Sequence, residues 1–498
     1  MASAVPTVKI AIIGAGFAGM GMAIRLRQEG ERDFVMLERS EAIGGTWRAN
    51  TYPGCAVDVE SHLYSFSFAP NPDWTQLYSP QQEIWDYQLR LADEHALGEH
   101  VRLRHEVLGA DWDEDAGLWH VRTSGGPIDA RFLISGMGPL TNPVAPDIPG
   151  LGTFAGTCFH SGSWNHDHDL TGERVAVIGT GSSAAQFVPE IAPQAERLLV
   201  FQRTPGWVLP RMNRHITALE RALYRRFPAV QRAVREKQML RHELLGILLR
   251  SPRSTRVIER VCRAHLERQV RDPALRERLT PTFRAGCKRL IISDDWYPAL
   301  ARPDVDLVTD AITEVRPEGV VTADGTLHEV DTLILGTGYE IMPVADPLRG
   351  RGGVALSERW AAHREAYLGT TVSGYPNYFM LVGPNTATGH TSILLYAEAQ
   401  IDYVLQCIAH VERNGARAIE VREEPQHAFS EDIREQLQGT IWIVGGCNSW
   451  YLNERGGTSV LWPGTTWAFT SALRQLDPSD YELDWAPAPA RRPDPVAA

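Results

Sequence analysis

The feature that most constrains this chain is a strand, a glycine turn and a helix that occur together twice. Val8-Lys9-Ile10-Ala11-Ile12-Ile13 is a short apolar run ending in Gly14-Ala15-Gly16-Phe17-Ala18-Gly19, and a helix-like stretch from Met20 to Gln28 follows. In that context Gly14 permits the tight turn and Gly16 lets the backbone approach a pyrophosphate. Gly19 lets the helix pack close, with its first N–H groups facing the phosphates. A second apolar run, Phe34-Val35-Met36-Leu37, ends at Glu38, 24 residues past Gly14. A carboxylate there can accept hydrogen bonds from a ribose diol.

The pattern then repeats. Val175-Ala176-Val177-Ile178 leads into Gly179-Thr180-Gly181-Ser182-Ser183-Ala184, and Leu198-Leu199-Val200-Phe201 leads to Arg203, again 24 residues past the first glycine. An arginine at this point can pair with a 2′-phosphate, so the second site is expected to take NADP. The first, with its acid for a free ribose diol, is expected to take FAD. Two more apolar strands ending in paired glycines, Arg131 to Gly138 and Thr332 to Gly338, bracket the second unit, and Pro139, Pro143, Pro146 and Pro149 mark an outgoing linker. The expected fold is α/β, with two Rossmann-like dinucleotide-binding domains (FAD and NADP) and a helical insertion. The FAD-binding domain is read as discontinuous, 1–145 and 336–485. The NADP-binding domain, 150–335, sits within it and carries a basic helical insertion at 211–285. The Pro/Ala-rich stretch 486–498 reads as a disordered tail.

Composition narrows the function classes. A chain of 498 residues with 43% hydrophobic and 22% charged residues can bury a large core, and its net charge of −12 argues against a nucleic-acid partner. Arg211 to Arg289 runs the other way, with 21 Lys/Arg against 7 Asp/Glu. Leu219, Leu223, Phe227, Val230 and Val234 recur there at helical spacing, as do Leu240, Leu244, Ile247 and Leu248. The plain reading is helices with a basic solvated face, and the sharper one is a face that meets a membrane surface. No apolar run is long enough to span a bilayer, and Val8 leaves no room for a signal peptide ahead of it. The protein is therefore expected to be cytoplasmic, without stable membrane insertion. Cys55, Cys158, Cys262, Cys287, Cys407 and Cys447 are scattered without a Cys-x-x-Cys pair. No metal site, disulfide framework or dithiol redox centre is expected. Oligomeric state is not legible at this level.

A flavin and a nicotinamide nucleotide without a redox dithiol leave molecular oxygen as the electron acceptor. Phe154-Ala-Gly156-Thr-Cys-Phe-His160-Ser-Gly-Ser-Trp164-Asn165 resembles the FxGxxxHxxxW fingerprint of type I Baeyer–Villiger monooxygenases, and Gly44-Gly45-Thr46-Trp47 with Tyr52-Pro53-Gly54 and Asp58 resembles that family's second signature. Asn165 stands where the fingerprint usually closes with Pro or Asp. Trp164 favours ketone over heteroatom oxidation, since related N- and S-oxygenating flavoenzymes usually carry Tyr or Phe there. The resemblance, which runs from about Val8 to Trp467, implies an NADPH-, FAD- and O2-dependent enzyme that converts a ketone to an ester or lactone through a C4a-peroxyflavin. The alternative is a flavin-containing N- or S-monooxygenase.

Site residues follow from the same resemblance. Cys287-Lys288-Arg289 matches the element whose arginine stabilises the anionic oxygen species, so Arg289 is the expected catalytic cation, oriented by Asp58. An arginine suits this task because it stays charged in a water-poor site. The implied FAD contacts are Gly14, Gly16, Phe17, Ala18, Gly19, Glu38, Thr46, Trp47, Asp58, Tyr64 and, through its backbone, Val107. Those implied for NADP are Gly179, Thr180, Gly181, Ser182, Ser183 and Gln186, with Arg203, Thr204 and Lys288 around the 2′-phosphate. Asn448 to Asn453 resembles the mobile loop whose tryptophan, Trp450, closes over the nicotinamide. Gly383-Pro384-Asn385-Thr386 with Gly389-His390 looks like the returning FAD segment. His160, alone between domains, reads as a structural hydrogen-bonding residue and not a base.

Overall fold

The computed structural model describes residues 5–342, 344, 347–453 and 455–485. The 486–498 tail lies outside the described residues. Two parallel-centred sheets carry the two glycine turns. The first is built around β1 (Thr7–Ile13), followed by helix α1 (Phe17–Gln28), β2 (Phe34–Glu38), β3 (Val101–Leu103), β4 (Val107–Asp113), β5 (Leu118–Thr123) and β6 (Ile128–Ser135). Strand order is β3-β2-β1-β6-β5-β4, with Leu348–Arg349 added beyond β4 and Tyr378–Met380 pairing with β6. β1 runs parallel to both β2 and β6, with Ile12 opposite Met36 on one side and Ile134 on the other. Such a strand is covered on both faces, and for this reason it reads as an unbroken apolar run instead of alternating.

The second sheet comprises β7 (Thr157–His160), β8 (Arg174–Ile178) and β9 (Arg197–Phe201), in the order Val305–Val308, β9, β8, Thr332–Leu335, β7. All its pairs are parallel. The fingerprint segment is thus an edge strand, seated beside Thr332–Leu335.

The paired-glycine strands have a steric reason to recur. Gly14 adopts φ +91°, and a Cβ on Gly136 would come within 2.8 Å of the Gly19 backbone N. In the second unit a Cβ on Gly179 would lie 2.3 Å from the Gly336 carbonyl oxygen. Each nucleotide turn is therefore pressed against the glycine end of its neighbouring strand, where no side chain fits.

The basic segment folds as helices Ala218–Arg226, Pro228–Leu248, Thr255–Gln269 and Pro273–Arg278. The first is opened by a capping box between Thr217 and Glu220. Only part of the apolar spacing read from the sequence faces the core, however, through Val230, Val234 and Leu248. Leu219, Leu223, Phe227, Leu240, Leu244 and Ile247 are exposed, and Val230, Val234 and Leu248 are half-buried. Polar residues share the inward face of Pro228–Leu248. Gln231 Nε2 donates to the Asn71 carbonyl at 2.7 Å, and Arg235 Nη1 donates to the carbonyls of His62 (2.8 Å) and Ser65 (2.7 Å). The 62–71 loop presents carbonyls that would otherwise be buried without donors, and this requirement outweighs apolar periodicity.

The cysteine expectation is also corrected. Cys287 and Cys447, 160 residues apart in sequence, form a disulfide. Sequence spacing cannot exclude such a pair, because the fold brings distant segments together. Cys55, Cys158, Cys262 and Cys407 are free.

Candidate active site

Arg289 and Asp58 meet between the two halves of the molecule. Asp58 Oδ2 accepts from Arg289 Nε at 2.9 Å and from Nη2 at 2.7 Å, and Nη1 donates to the Thr388 carbonyl at 3.4 Å. The Asp58 carboxylate holds the guanidinium above its ordinary pKa, so the site keeps a permanent positive charge. Tyr451 lies against the same guanidinium with its ring buried, and its hydroxyl is pushed up by burial while Arg289 opposes the shift. The Arg289 side chain keeps a third of its surface open, so it faces a space as well as its partners.

Around this cation the nucleotide-turn residues take distinct positions. Glu38, buried at the end of β2, accepts from the Ala15 N–H (2.9 Å) and the Ser40 N–H (2.9 Å), which fix its carboxylate beside the first glycine turn. Trp47 donates its indole N–H to the Tyr64 hydroxyl at 3.1 Å, and Phe17 packs edge-on to Tyr64. Thr46 opens the short helix Thr46–Ala49 that carries Trp47, Ala18 lies in the first turn of α1, and Val107 begins β4. A second cradle forms at Gly181, the N-cap of helix Ser182–Ile191, where a Cβ would enter open space with nothing within 4 Å. Ser182 and Ser183 supply the first N–H groups of that helix.

Lys288 Nζ donates to Thr204 Oγ1 at 2.6 Å, and burial, with Arg203 adding repulsion, lowers the lysine's pKa. Two neighbouring cations and a hydroxyl at the end of β9 form a donor set suited to a phosphate dianion. Together with the open glycine cradle, this arrangement fits a dinucleotide carrying a 2′-phosphate, as Glu38 fits one carrying a ribose diol. Thr180 Oγ1 donates to the Thr204 carbonyl at 3.5 Å, joining the glycine turn to this cluster.

Gln186, expected among the nucleotide contacts, has protein partners for its amide. Its amide bonds to the Tyr52 hydroxyl (3.1 Å) and to the backbone N–H and C=O of Ala56 (3.3 and 2.9 Å), bracing the second unit against the loop that leads to Asp58. His160 accepts from the Gly162 N–H through Nδ1 at 2.9 Å, and burial lowers its pKa. This is a structural hydrogen bond, the role read for His160 from the sequence. Trp164 packs between Phe159 and Phe187. Trp450 stands half-exposed, its ring tilted against Tyr451 with centroids 4.3 Å apart.

A buried polar chain escaped the sequence reading. His390 Nδ1 bonds with Thr388 Oγ1 at 3.0 Å, and His390 Nε2 faces Glu243 Oε1 at 3.4 Å. Glu243 also accepts from the Thr466 N–H at 3.1 Å. His242 lies beside it, between the His390 carbonyl and the fully buried Glu60. In the sequence, His242 and Glu243 are two polar residues in a charge-rich helix, and only their burial sets them apart. Among the described residues no group of His, Cys, Asp and Glu could hold a metal ion, and no helix is long and apolar enough to cross a membrane.

The comparisons agree with this geometry. Residues 7–346 match the family described as flavin-binding monooxygenase-like. A Baeyer–Villiger monooxygenase of Streptomyces coelicolor is 44% identical over 488 residues, covering 97% of this chain and 94% of its own. One from Pseudomonas aeruginosa is 44% identical over 491 residues, covering 97% and 92%. Among solved structures, an oxidised steroid monooxygenase bound to NADP superposes with a TM-score of 0.86 at 30% identity, covering 96% of this chain and 99% of its own. A complex of OTEMO with FAD and NADP gives 0.87 at 29% identity, covering 96% and 100%. With both glycine turns, the Asp58–Arg289 pair and this likeness along nearly its whole length, the chain belongs to the flavin-binding monooxygenases and, among them, to the Baeyer–Villiger monooxygenases.

Proposed function

We propose that the protein oxidises a ketone to an ester or lactone, taking one oxygen atom from O2 and two electrons from NADPH, with the other oxygen leaving as water. The observation that carries this reading is the adjacency of Lys288 and Arg289. One contacts Thr204 beside the second nucleotide turn, and the next is clamped by Asp58 beside the first. In this reading residues 1–145 with 336–485 hold FAD and 150–335 hold NADP, at a cytoplasmic location.

Glu38, Thr46, Trp47, Tyr64 and the Gly14–Gly19 turn would hold FAD. Lys288, Arg203, Thr204 and the Gly179–Ser183 turn would hold the nicotinamide nucleotide, and the half-exposed Trp450 would cover it. Bound FAD supplies the redox centre that accepts hydride and activates oxygen. The remaining work belongs to the chain. Arg289 is the catalytic residue, because oxygen addition to a carbonyl leaves an oxyanion that needs a fixed cation in a site with little water. Asp58 is a positioning residue: it holds Nε and Nη2 and leaves Nη1 directed away from it. Buried Tyr451 excludes water from one side of the guanidinium.

The test is turnover under 18O2 with a panel of linear, aryl and cyclic ketones, following NADPH, hydrogen peroxide and product. One 18O atom in an ester, with NADPH consumed in equal amount, supports the reading. NADPH oxidation with all label in peroxide refutes it. Labelled sulfoxide from a thioether, without ester from any ketone, moves the protein to the heteroatom alternative.

A further inference from the structure

The Cys287–Cys447 disulfide joins two segments that the proposed chemistry depends on. Cys287 is fully buried and precedes Lys288-Arg289 directly. Cys447 is half-buried and lies three residues before Trp450 and four before Tyr451, whose hydroxyl interacts with Arg289. The approach between the segments is tight: a Cβ on Gly445 would come within 2.6 Å of Cys287 Cβ. Little else ties this stretch down. The Arg284 N–H donates to the Gly445 carbonyl at 3.0 Å. From Gly446 to Thr458, however, the backbone–backbone hydrogen bonds among the described residues are local, such as Leu452 to Ser449 and Asn453 to Gly457. Tyr451 is that stretch's one buried side chain among the described residues. The disulfide is its covalent anchor.

We propose that Cys287–Cys447 is a reversible redox-modification site, oxidised by hydrogen peroxide and reduced by dithiols, whose state decides whether the Asn448–Asn453 segment is held over Arg289. The proposal rests on the reading above only for the importance of Arg289. In the oxidising direction the two thiols lose two electrons and two protons to one peroxide, giving the S–S bond and two waters. Peroxide is also what a flavin monooxygenase releases when NADPH oxidation is not followed by oxygen transfer. In the reducing direction an incoming thiolate meets Cys447 Sγ, the more accessible sulfur, and Cys287 leaves as thiolate. The second sulfur of the dithiol then frees Cys447 and becomes oxidised itself. A cross-link between the turn that precedes Arg289 and a sparsely bonded loop favours the closed arrangement by restricting the open one.

The experiment uses the full-length holoenzyme in two portions, one treated with one equivalent of hydrogen peroxide and one with dithiothreitol that is then removed. Each is alkylated with iodoacetamide and mapped by peptide mass, and each is digested briefly with trypsin. Arg455 is exposed within the tethered stretch, so cleavage after it, seen as a fragment beginning at Gly456, reports opening. Label on Cys287 and Cys447 only after dithiothreitol, with cleavage after Arg455 about tenfold faster, is the expected result. A Cys447→Ser protein should be cleaved at the fast rate under both treatments. Equal labelling of both cysteines in the two portions overturns the proposal, as does equal cleavage. Should the variant fail to fold, the two wild-type portions decide alone, since they differ by no substitution. Neither readout needs ketone turnover, so failure of the enzymatic reading stays distinguishable.

Discussion

Replacing Arg289 with alanine removes the one fixed cation that Asp58 orients. The removed guanidinium makes two charge-assisted bonds to a single carboxylate oxygen, at 2.9 and 2.7 Å, and a longer one to the Thr388 carbonyl. Deleting a preorganised donor to a developing oxyanion costs about 10²–10³ in kcat, or about 3–4 kcal/mol of transition-state stabilisation. The cost to folding should be smaller. Asp58 keeps about a quarter of its side-chain surface in water, so the orphaned carboxylate can be solvated, and about 1 kcal/mol is expected instead of the 3–5 kcal/mol of a fully buried pair. Arg289→Ala should therefore retain its fold and its FAD while ester formation falls at least about 100-fold. NADPH should continue to be consumed, with its electrons recovered as peroxide. The assay compares initial rates of NADPH loss, ester and peroxide in one reaction, with the flavin absorbance of the purified variant as a control for cofactor retention. Ester formation within a fewfold of wild type would refute the assignment. So would a variant that loses ester formation only in proportion to lost flavin.

Other outcomes follow from single contacts. Arg203→Ala and Lys288→Ala should each raise KM for NADPH about 10–100-fold while leaving NADH kinetics nearly unchanged, as expected for one charge-assisted contact to a 2′-phosphate; a parallel loss with both cofactors would contradict this. Gly181→Ala should melt like wild type, because a Cβ there meets only open space, yet bind NADPH weakly; Gly179→Ala should lower the melting temperature, because its Cβ would strike the Gly336 carbonyl and its φ is +115°. Equilibrium unfolding in urea should show a stability loss on acidification. Burial lowers the His62 pKa from 6.5 to about 4, so the unfolded chain takes up a proton that the native state refuses. This contribution is complete above pH 6.5 and is lost as pH falls toward 4, amounting to about 3 kcal/mol. His62→Gln should flatten that limb; an unchanged slope would mean the buried imidazole is not its source.

Much of this molecule was open to reading before any coordinates. Both nucleotide turns, Glu38 and Arg203 at matching offsets, and the strands around them are local patterns, because a pyrophosphate-binding turn needs its glycines and its helix start within a few consecutive residues. Asp58 and Arg289 could each be picked out by likeness to known motifs, but 231 positions separate them and no periodicity relates one to the other. Tertiary structure alone decided what depends on long-range approach. It turned the polar face of Pro228–Leu248 inward, because buried loop carbonyls needed donors, and left leucines outside that helical spacing would place in a core. It gave Gln186 to the Ala56 backbone, set Glu243 against His390, and joined Cys287 to Cys447 where cysteine spacing suggested no bridge. Local chemistry is written in the order of residues; partners distant along the chain are chosen by packing, through the rule that buried polar groups and close backbones must find a match.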